Sequence, residues 1–230
     1  MTNHEIIFTN VYNTDTWGTN LEFLPAGQEV PSYKGASGYG STMRVLSAEY
    51  IPFLQNFIIS NNIKSVADLG CGDFIAGENT YNSIKNIEYT GYDVYKDMID
   101  YLNTRYKATR FKFKHLDILQ DVEQIHDADL YILKDVLQHW TWDEINRFLA
   151  SLVKKNFKYI LLSNACDIES FPVSDISKTG KFRPISATQP GLKAFNPIIL
   201  FKWGEPGLFM EQPDGNPWIR NISELSIIIK

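Results

Sequence analysis

Three acidic residues close three successive β-type runs: Val66-Ala67-Asp68-Leu69-Gly70-Cys71-Gly72-Asp73-Phe74, Tyr89-Thr90-Gly91-Tyr92-Asp93, and His115-Leu116-Asp117-Ile118. Two glycines one residue apart, Gly70 and Gly72, let backbone approach a ligand that a Cβ would exclude. A carboxylate at the end of the second run, Asp93, can accept hydrogen bonds from both hydroxyls of a ribose. After the third run, Asp117 can accept from an adenine amino group, with Ile118 adding backbone and apolar contact. A dinucleotide fingerprint would want a third glycine three residues after Gly72, but Ile75 stands there, and this argues against NAD.

Beyond the fourth run, Asp135-Val136-Leu137-Gln138-His139 supplies a base. An alcohol is too weakly acidic to ionise unaided, and an imidazole titrates near neutrality, so His139 is the candidate general base. Asp135 at i−4, one helical turn earlier, would orient the ring and stabilise its charged form; in the bland alternative, the ring only packs against Trp140 or Trp142. Asp135 and Asn164 could offer oxygens to Mg²⁺ or Mn²⁺, but two ligands do not make a site, and no metal is expected. Arg183 and Asp175 could hydrogen-bond a polar substrate, or they could form a salt bridge or cap that orders their own segment. Walls of Asp73, Trp140 and Phe182 would suit a sugar, because aromatic faces with paired polar groups do.

Positioning these residues requires alternating strands and helices. Short β-type runs stand at Ser65–Leu69, Glu88–Asp93, Arg110–His115, Ala128–Leu133 and Lys158–Ser163, with helical stretches such as Tyr95–Tyr106 and Trp142–Lys154 between them. That alternation predicts parallel strands joined by right-handed crossovers, hence an α/β sheet whose ligands sit outside the carboxyl ends of the strands. Upstream, Leu46, Tyr50, Phe53, Leu54, Phe57 and Ile58 recur at helical steps, and Pro52 marks a bend or the first turn of a second helix. Residues 1–40, rich in Asn, Thr, Gly and Tyr, read as an irregular arm packed over the site. Past Ala165 the alternation fails. Seven prolines scatter through a segment with two plausible strands, Ile198–Trp203 and Glu224–Ile229, and residues 167–196 are expected to form a lid.

The chain resembles the class I S-adenosylmethionine-dependent methyltransferases, and within them a group of small bacterial-type enzymes associated with O-methylation of sugars in surface or capsular polysaccharides. Four segments carry the resemblance in order: Ser37-Gly38-Tyr39-Gly40-Ser41, Cys71-Gly72-Asp73-Phe74, Asp135-Val136-Leu137-Gln138-His139, and Asp175-Ile176-Ser177-Lys178-Thr179-Gly180-Lys181-Phe182-Arg183-Pro184. It implies a Rossmann-like seven-stranded sheet, mostly parallel with the last strand antiparallel, helices on both faces, and one methyltransferase domain over residues 41–230. It also implies S-adenosylmethionine as cofactor and S-adenosylhomocysteine as product. Asp68, Gly70, Cys71 and Gly72 would line the methionine moiety, Asp93 with Val94 the ribose, and Asp117 with Ile118 the adenine, while Ser41 and Lys134 complete the set. Phe74 and Asn164 would join the substrate side. Phe182 stands where Trp is common, and Asn164-Ala165 where Thr often sits.

With 22 basic against 27 acidic side chains and a net charge of −5, the chain has no basic stripe for a phosphate backbone, so nucleic acid is not an expected partner. No apolar run reaches the roughly 18–20 residues of a bilayer span, and the first ten residues lack the order of a signal peptide. A cytoplasmic enzyme acting on a small-molecule or carbohydrate acceptor is the expectation. Cys71 and Cys166 read as free thiols. The activity expected is transfer of a methyl group to a hydroxyl of a sugar, sugar nucleotide or surface polysaccharide, with His139 as base. The alternatives are an N- or carboxyl-methyltransferase on a small metabolite and a non-catalytic S-adenosylmethionine-binding protein.

Overall fold

A computed structural model describes residues 1–19, 29–166, 174–210 and 219–230. Seven strands form one sheet: β1 (Ser65–Leu69), β2 (Glu88–Asp93), β3 (Phe111–His115), β4 (Leu130–Lys134), β5 (Tyr159–Ala165), β6 (Ile198–Met210) and β7 (Ile219–Ile229), in the order β3-β2-β1-β4-β5-β7-β6. β1, β2 and β3 pair in parallel, whereas β7 runs antiparallel to both β5 and β6. The expected Rossmann-like sheet with its last strand antiparallel is therefore the one observed. β7 begins earlier and β6 ends later than the residue pattern marked. The chain divides into two compact units, Met1–Tyr131 and Ile132–Lys230, which are described in turn.

In the first unit the register sets Asp68 beside Gly91 and Asp93 beside His115, so the carboxyl ends of three parallel strands share one edge. The N-terminal segment differs from the irregular arm expected. It opens with α1 (Asn3–Asn13), whose N-cap Thr2 accepts from the Glu5 N–H while the Glu5 side chain accepts from the Thr2 N–H. This reciprocal capping box satisfies two donors that a helix start leaves unpaired. α1 buries His4, Phe8, Val11 and Tyr12, and Tyr12 stacks on Tyr95 with ring centroids 4.5 Å apart. Next come α2 (Met43–Leu46) and α3 (Tyr50–Ser60), with Pro52 in the first turn of α3, where its missing N–H costs nothing. α4 (Ile75–Tyr81) and α5 (Lys96–Arg105) follow β1 and β2.

In the second unit, α6 (Trp142–Leu152) starts at a second capping box, Thr141 with Glu144, and buries Ile145, Phe148, Leu149 and Leu152. Residues 174–196 carry one helical turn, α7 (Pro190–Lys193). Backbone bonds tie this stretch down: Gly180 N–H donates to the His139 carbonyl at 2.9 Å, Arg183 N–H to Gln138 at 3.1 Å, and Ile185 N–H to Ala165 at 2.8 Å. Glu224, buried on β7, anchors it further by accepting from Ser186 Oγ and the Ala187 N–H, with Lys202 Nζ 3.3 Å away. Residues 174–196 of the expected lid are thus tied down by these bonds, while residues 167–173 lie outside those described.

Candidate active site

In the first unit the turn after β1 is built by positive-φ backbone. Gly70 has φ 90° and Gly72 φ 55°. A Cβ on Gly72 would come 2.5 Å from Ser37 Oγ, so glycine is required there by sterics as well as by φ. Gly70 and Cys71 N–H groups both donate to the Tyr92 carbonyl, at 2.8 and 3.0 Å, which welds the turn to the end of β2. Asp93 is buried and accepts from the Gly72 N–H at Oδ2 and the Tyr95 N–H at Oδ1, each at 3.0 Å. Burial raises its pKa, partly offset by those donors. Each carboxylate oxygen accepts more than one bond, so Asp93 retains capacity for a ribose diol. Asp68 accepts from Tyr89 Oη at 2.9 Å.

Several expected ligand residues have other work. Asp117 accepts from the Thr2 hydroxyl at Oδ2 and from the Leu119 N–H at Oδ1, with His4 Nδ1 3.6 Å away. Its carboxylate clamps α1 to the end of β3. Glu5 reinforces this clamp from α1 through His115, 3.2 Å away. Ile118 is buried beside Asp117, and the Val94 carbonyl faces His115 Nε2 at 3.1 Å. Ser41 ends a 3-10 turn over Tyr39–Ser41.

Asp73 pairs reciprocally with Ser37: the Asp73 N–H donates to Ser37 Oγ at 2.9 Å, and the Ser37 N–H to Asp73 Oδ2 at 3.4 Å. Asp73 Oδ1 also accepts from the Ile75 N–H at the start of α4, so this half-buried side chain joins the arm to the turn. Phe74 is 1% exposed and sits among Tyr81, Tyr89, Tyr106, Phe111 and Phe113. It is a core residue, held at φ 61° by the turn, and forms no wall.

In the second unit, His139 closes a 3-10 turn over Leu137–His139 and is 7% exposed. Its Nδ1 lies 3.2 Å from the Lys181 carbonyl. A carbonyl can only accept, so Nδ1 carries the proton and Nε2 the basic lone pair. Burial lowers the imidazole pKa to about 4, partly offset by the Lys181 carbonyl and the Asp135 charge. The ring is thus neutral at pH 7. Phe182, half-buried, lies 5.9 Å away ring to ring.

The orienting role expected of Asp135 is corrected. Asp135 has φ 57° and precedes the 3-10 turn, so its i−4 spacing to His139 is not that of one helical turn. Its carboxylate is ion-paired with Lys134 Nζ. Lys134 is accordingly a partner of Asp135, and the ring is oriented by the Lys181 backbone. Trp140 is 3% exposed and packs edge-on against Phe148 at 5.1 Å, which makes it core and not wall. Asp175 accepts from the Trp142 N–H at 3.0 Å, at the start of α6, and lies 3.3 Å from Arg183 Nη1. Asn164 is 3% exposed, and its Oδ1 has no hydrogen-bond partner among the described residues. Also among the described residues, no three of His, Cys, Asp and Glu converge as a metal-ligand group, both cysteines are free thiols, and no helix is long and apolar enough to cross a membrane.

The sequence reading missed α1, although Thr2-x-x-Glu5 is a capping-box pattern, and it missed the Lys181 carbonyl, for which a residue type gives no signal.

Residues 66–155 match the family model of a methyltransferase domain. No curated protein matches the sequence. Among solved structures, magnesium protoporphyrin IX methyltransferase (ChlM) from Synechocystis PCC 6803 with bound SAH is similar at 14% identity and a TM-score of 0.64, over 99% of this chain and 100% of that one. N-methyltransferase NodS from Bradyrhizobium japonicum WM9, in complex with S-adenosyl-L-homocysteine, is similar at 14% identity and a TM-score of 0.57, over 79% of this chain and 86% of that one. The bifunctional kinase-methyltransferase WbdD is similar at 16% identity and a TM-score of 0.55, over 83% of this chain and 41% of that one. At such identities the likeness is one of fold.

Proposed function

We propose, for a chain whose residues 66–155 match a methyltransferase-domain model, that S-adenosylmethionine is the methyl donor, that the acceptor is a carbohydrate hydroxyl and that His139 removes its proton. The observation that carries this reading is the fixed, neutral imidazole: its Nδ1 proton is committed to the Lys181 carbonyl, which leaves Nε2 as the basic nitrogen. A general base contributes most for an alcohol, whereas a neutral amine attacks without one. Half-buried Phe182 beside the imidazole offers a flat face for the C–H side of a sugar ring, and Asn164 Oδ1 is an acceptor for a further hydroxyl.

For the methyl donor, the backbone turn at Gly70, Cys71 and Gly72 with Asp68 would hold the methionine portion, and Asp93 the ribose. When bound, the donor supplies a methyl group already activated by its sulfonium. The chain's own part is to orient the acceptor oxygen for in-line attack and to take its proton at His139 Nε2.

A second reading, N-methylation of a small metabolite, draws support from the similarity to an N-methyltransferase and from the low basicity that burial imposes on His139. Incubation with methyl-labelled S-adenosylmethionine and a panel of sugars, sugar nucleotides and polysaccharide fragments, alongside amino sugars and small amines, separates the two. Label in an alkali-stable methyl ether supports the hydroxyl reading. Label only on nitrogen overturns it.

A further inference from the structure

Arg183 is 6% exposed, and its guanidinium uses only one end of its donor set. Nη1 donates to the Trp140 carbonyl at 2.8 Å and lies 3.3 Å from Asp175 Oδ1, and the planar group rests on the Trp142 ring, 3.6 Å from its centroid. Nε and Nη2 are buried without any hydrogen-bond partner among the described residues. These two nitrogens form one edge of the group, with N–H bonds pointing the same way, the fork that meets both oxygens of a carboxylate or two of a phosphate. If this arginine only fastened its segment to α6, Nη1 and the ring contact would suffice, and leaving a whole charged edge buried and unpaired would be a pure cost. Asp175 and Glu144 both face the charge, but each carboxylate is shared: Asp175 also accepts from the Trp142 and Ile176 N–H groups, and Glu144 from the Thr141 N–H and the Thr179 hydroxyl. Arg183 is two residues from Lys181, whose carbonyl faces His139 Nδ1, in the same backbone pairing in which Arg183 N–H bonds to the Gln138 carbonyl and Gly180 N–H to that of His139.

We propose that the acceptor carries an oxyanion, which the Nε/Nη2 edge of Arg183 binds in bidentate fashion. Resting on the carbohydrate reading above, this makes the substrate an acidic sugar or a sugar phosphate rather than a neutral one. Trp142 stacking and the Trp140 carbonyl hold the fork in its plane, and the oxyanion satisfies the two donors that have no partner among the described residues. Entry requires local opening of the stretch held by the Gly180–His139 and Arg183–Gln138 bonds.

The test uses the full chain saturated with S-adenosylhomocysteine, with glucuronate, glucose 1-phosphate and glucose as probes, read by calorimetry and by the ¹⁵N–¹H resonance of the Arg183 Nε. The expected result is binding of at least one of the two anions, with the Nε–H resonance shifted and slowed in solvent exchange, and no effect of glucose. Preference between glucuronate and glucose 1-phosphate identifies the carboxylate or the phosphate as the source of the oxyanion. R183K keeps the charge and can still reach Asp175 and Trp140, but loses the fork. It should weaken anion binding by at least about tenfold, with S-adenosylhomocysteine affinity unchanged. Equal anion binding by R183K, or an Nε–H signal that neither anion perturbs, overturns the proposal, and the wild-type spectrum decides even if R183K does not fold. Full-rate methylation of a neutral glycoside, with no effect of either anion, overturns this proposal while sparing the hydroxyl reading. Anion binding at Arg183 with label only on nitrogen does the reverse.

Discussion

The Lys181 carbonyl oxygen stands 3.2 Å from His139 Nδ1, so the backbone of the segment that follows β5 sets the tautomer of the only histidine in the second unit. The contact adds to the ring's basicity, since a carbonyl acceptor favours the protonated form. Burial is what drives the pKa down.

That displacement has a consequence for stability. The folded-state pKa of about 4 lies below the ordinary imidazole value of 6.5, so the unfolded chain binds the proton more readily between those values. The contribution of His139 is complete above pH 6.5, falls as pH drops through the window, and is fully lost below pH 4. A shift of this size corresponds to about 3 kcal/mol. Urea unfolding of wild type between pH 7 and 4 should show a loss of that order that His139→Gln lacks. An equal pH dependence in the variant would show that the ring is not buried neutral.

Asp93→Ala should weaken S-adenosylhomocysteine binding by roughly 1.5–3 kcal/mol, as expected for loss of charged hydrogen bonds. Calorimetry checks it. The same change also leaves the Gly72 and Tyr95 N–H groups without their acceptor, so Asp93→Asn serves as the milder control and should lose less.

Thr2→Ala removes both the N-cap of α1 and the hydroxyl bonded to Asp117. Loss of the cap alone costs about 1 kcal/mol. Amide exchange over residues 3–13 should accelerate selectively, with protection of β1 and β2 retained. Uniform acceleration across the first unit would contradict the view of Asp117 as a local clamp.

Phe74→Ala should lower stability by about 3–5 kcal/mol, the cost of emptying a packed aromatic site. Thermal or denaturant unfolding measures it. A variant of native stability with altered acceptor preference would restore Phe74 to the substrate side.

Much of the sheet could be read in advance because its signal is periodic. β1 and β2 fall on the runs marked in the sequence, and β3, β4 and β5 differ at their ends by one or two residues. The site was less legible, since residue type does not say where a side chain points. Asp135 looked like a partner for His139 on helical spacing, but φ 57° breaks the helix between them and Lys134 takes the carboxylate. Phe74 and Trp140 have the chemistry of sugar platforms, yet core packing claims both rings. Asp175 and Arg183 cap α6 and pair with each other, as the sequence also allowed, while Arg183 keeps a second edge for which residue type gives no signal. In the N-terminal segment, Asn- and Thr-rich composition masked a helix whose start was spelled by Thr2 and Glu5.

The most direct measurement is the single-turnover rate of methyl transfer to a hydroxyl acceptor, as a function of pH, for wild type and His139→Gln at saturating S-adenosylmethionine. With His139 as base, the wild-type rate is level from neutrality down toward pH 6 and falls as the group near 4 takes up a proton. The variant should be slower by about 10²–10⁴-fold, with S-adenosylhomocysteine affinity within a few-fold of wild type and no acid limb of that origin. A His139→Gln enzyme that methylates the hydroxyl at near wild-type rate, with the same pH profile, would contradict the assignment of the base.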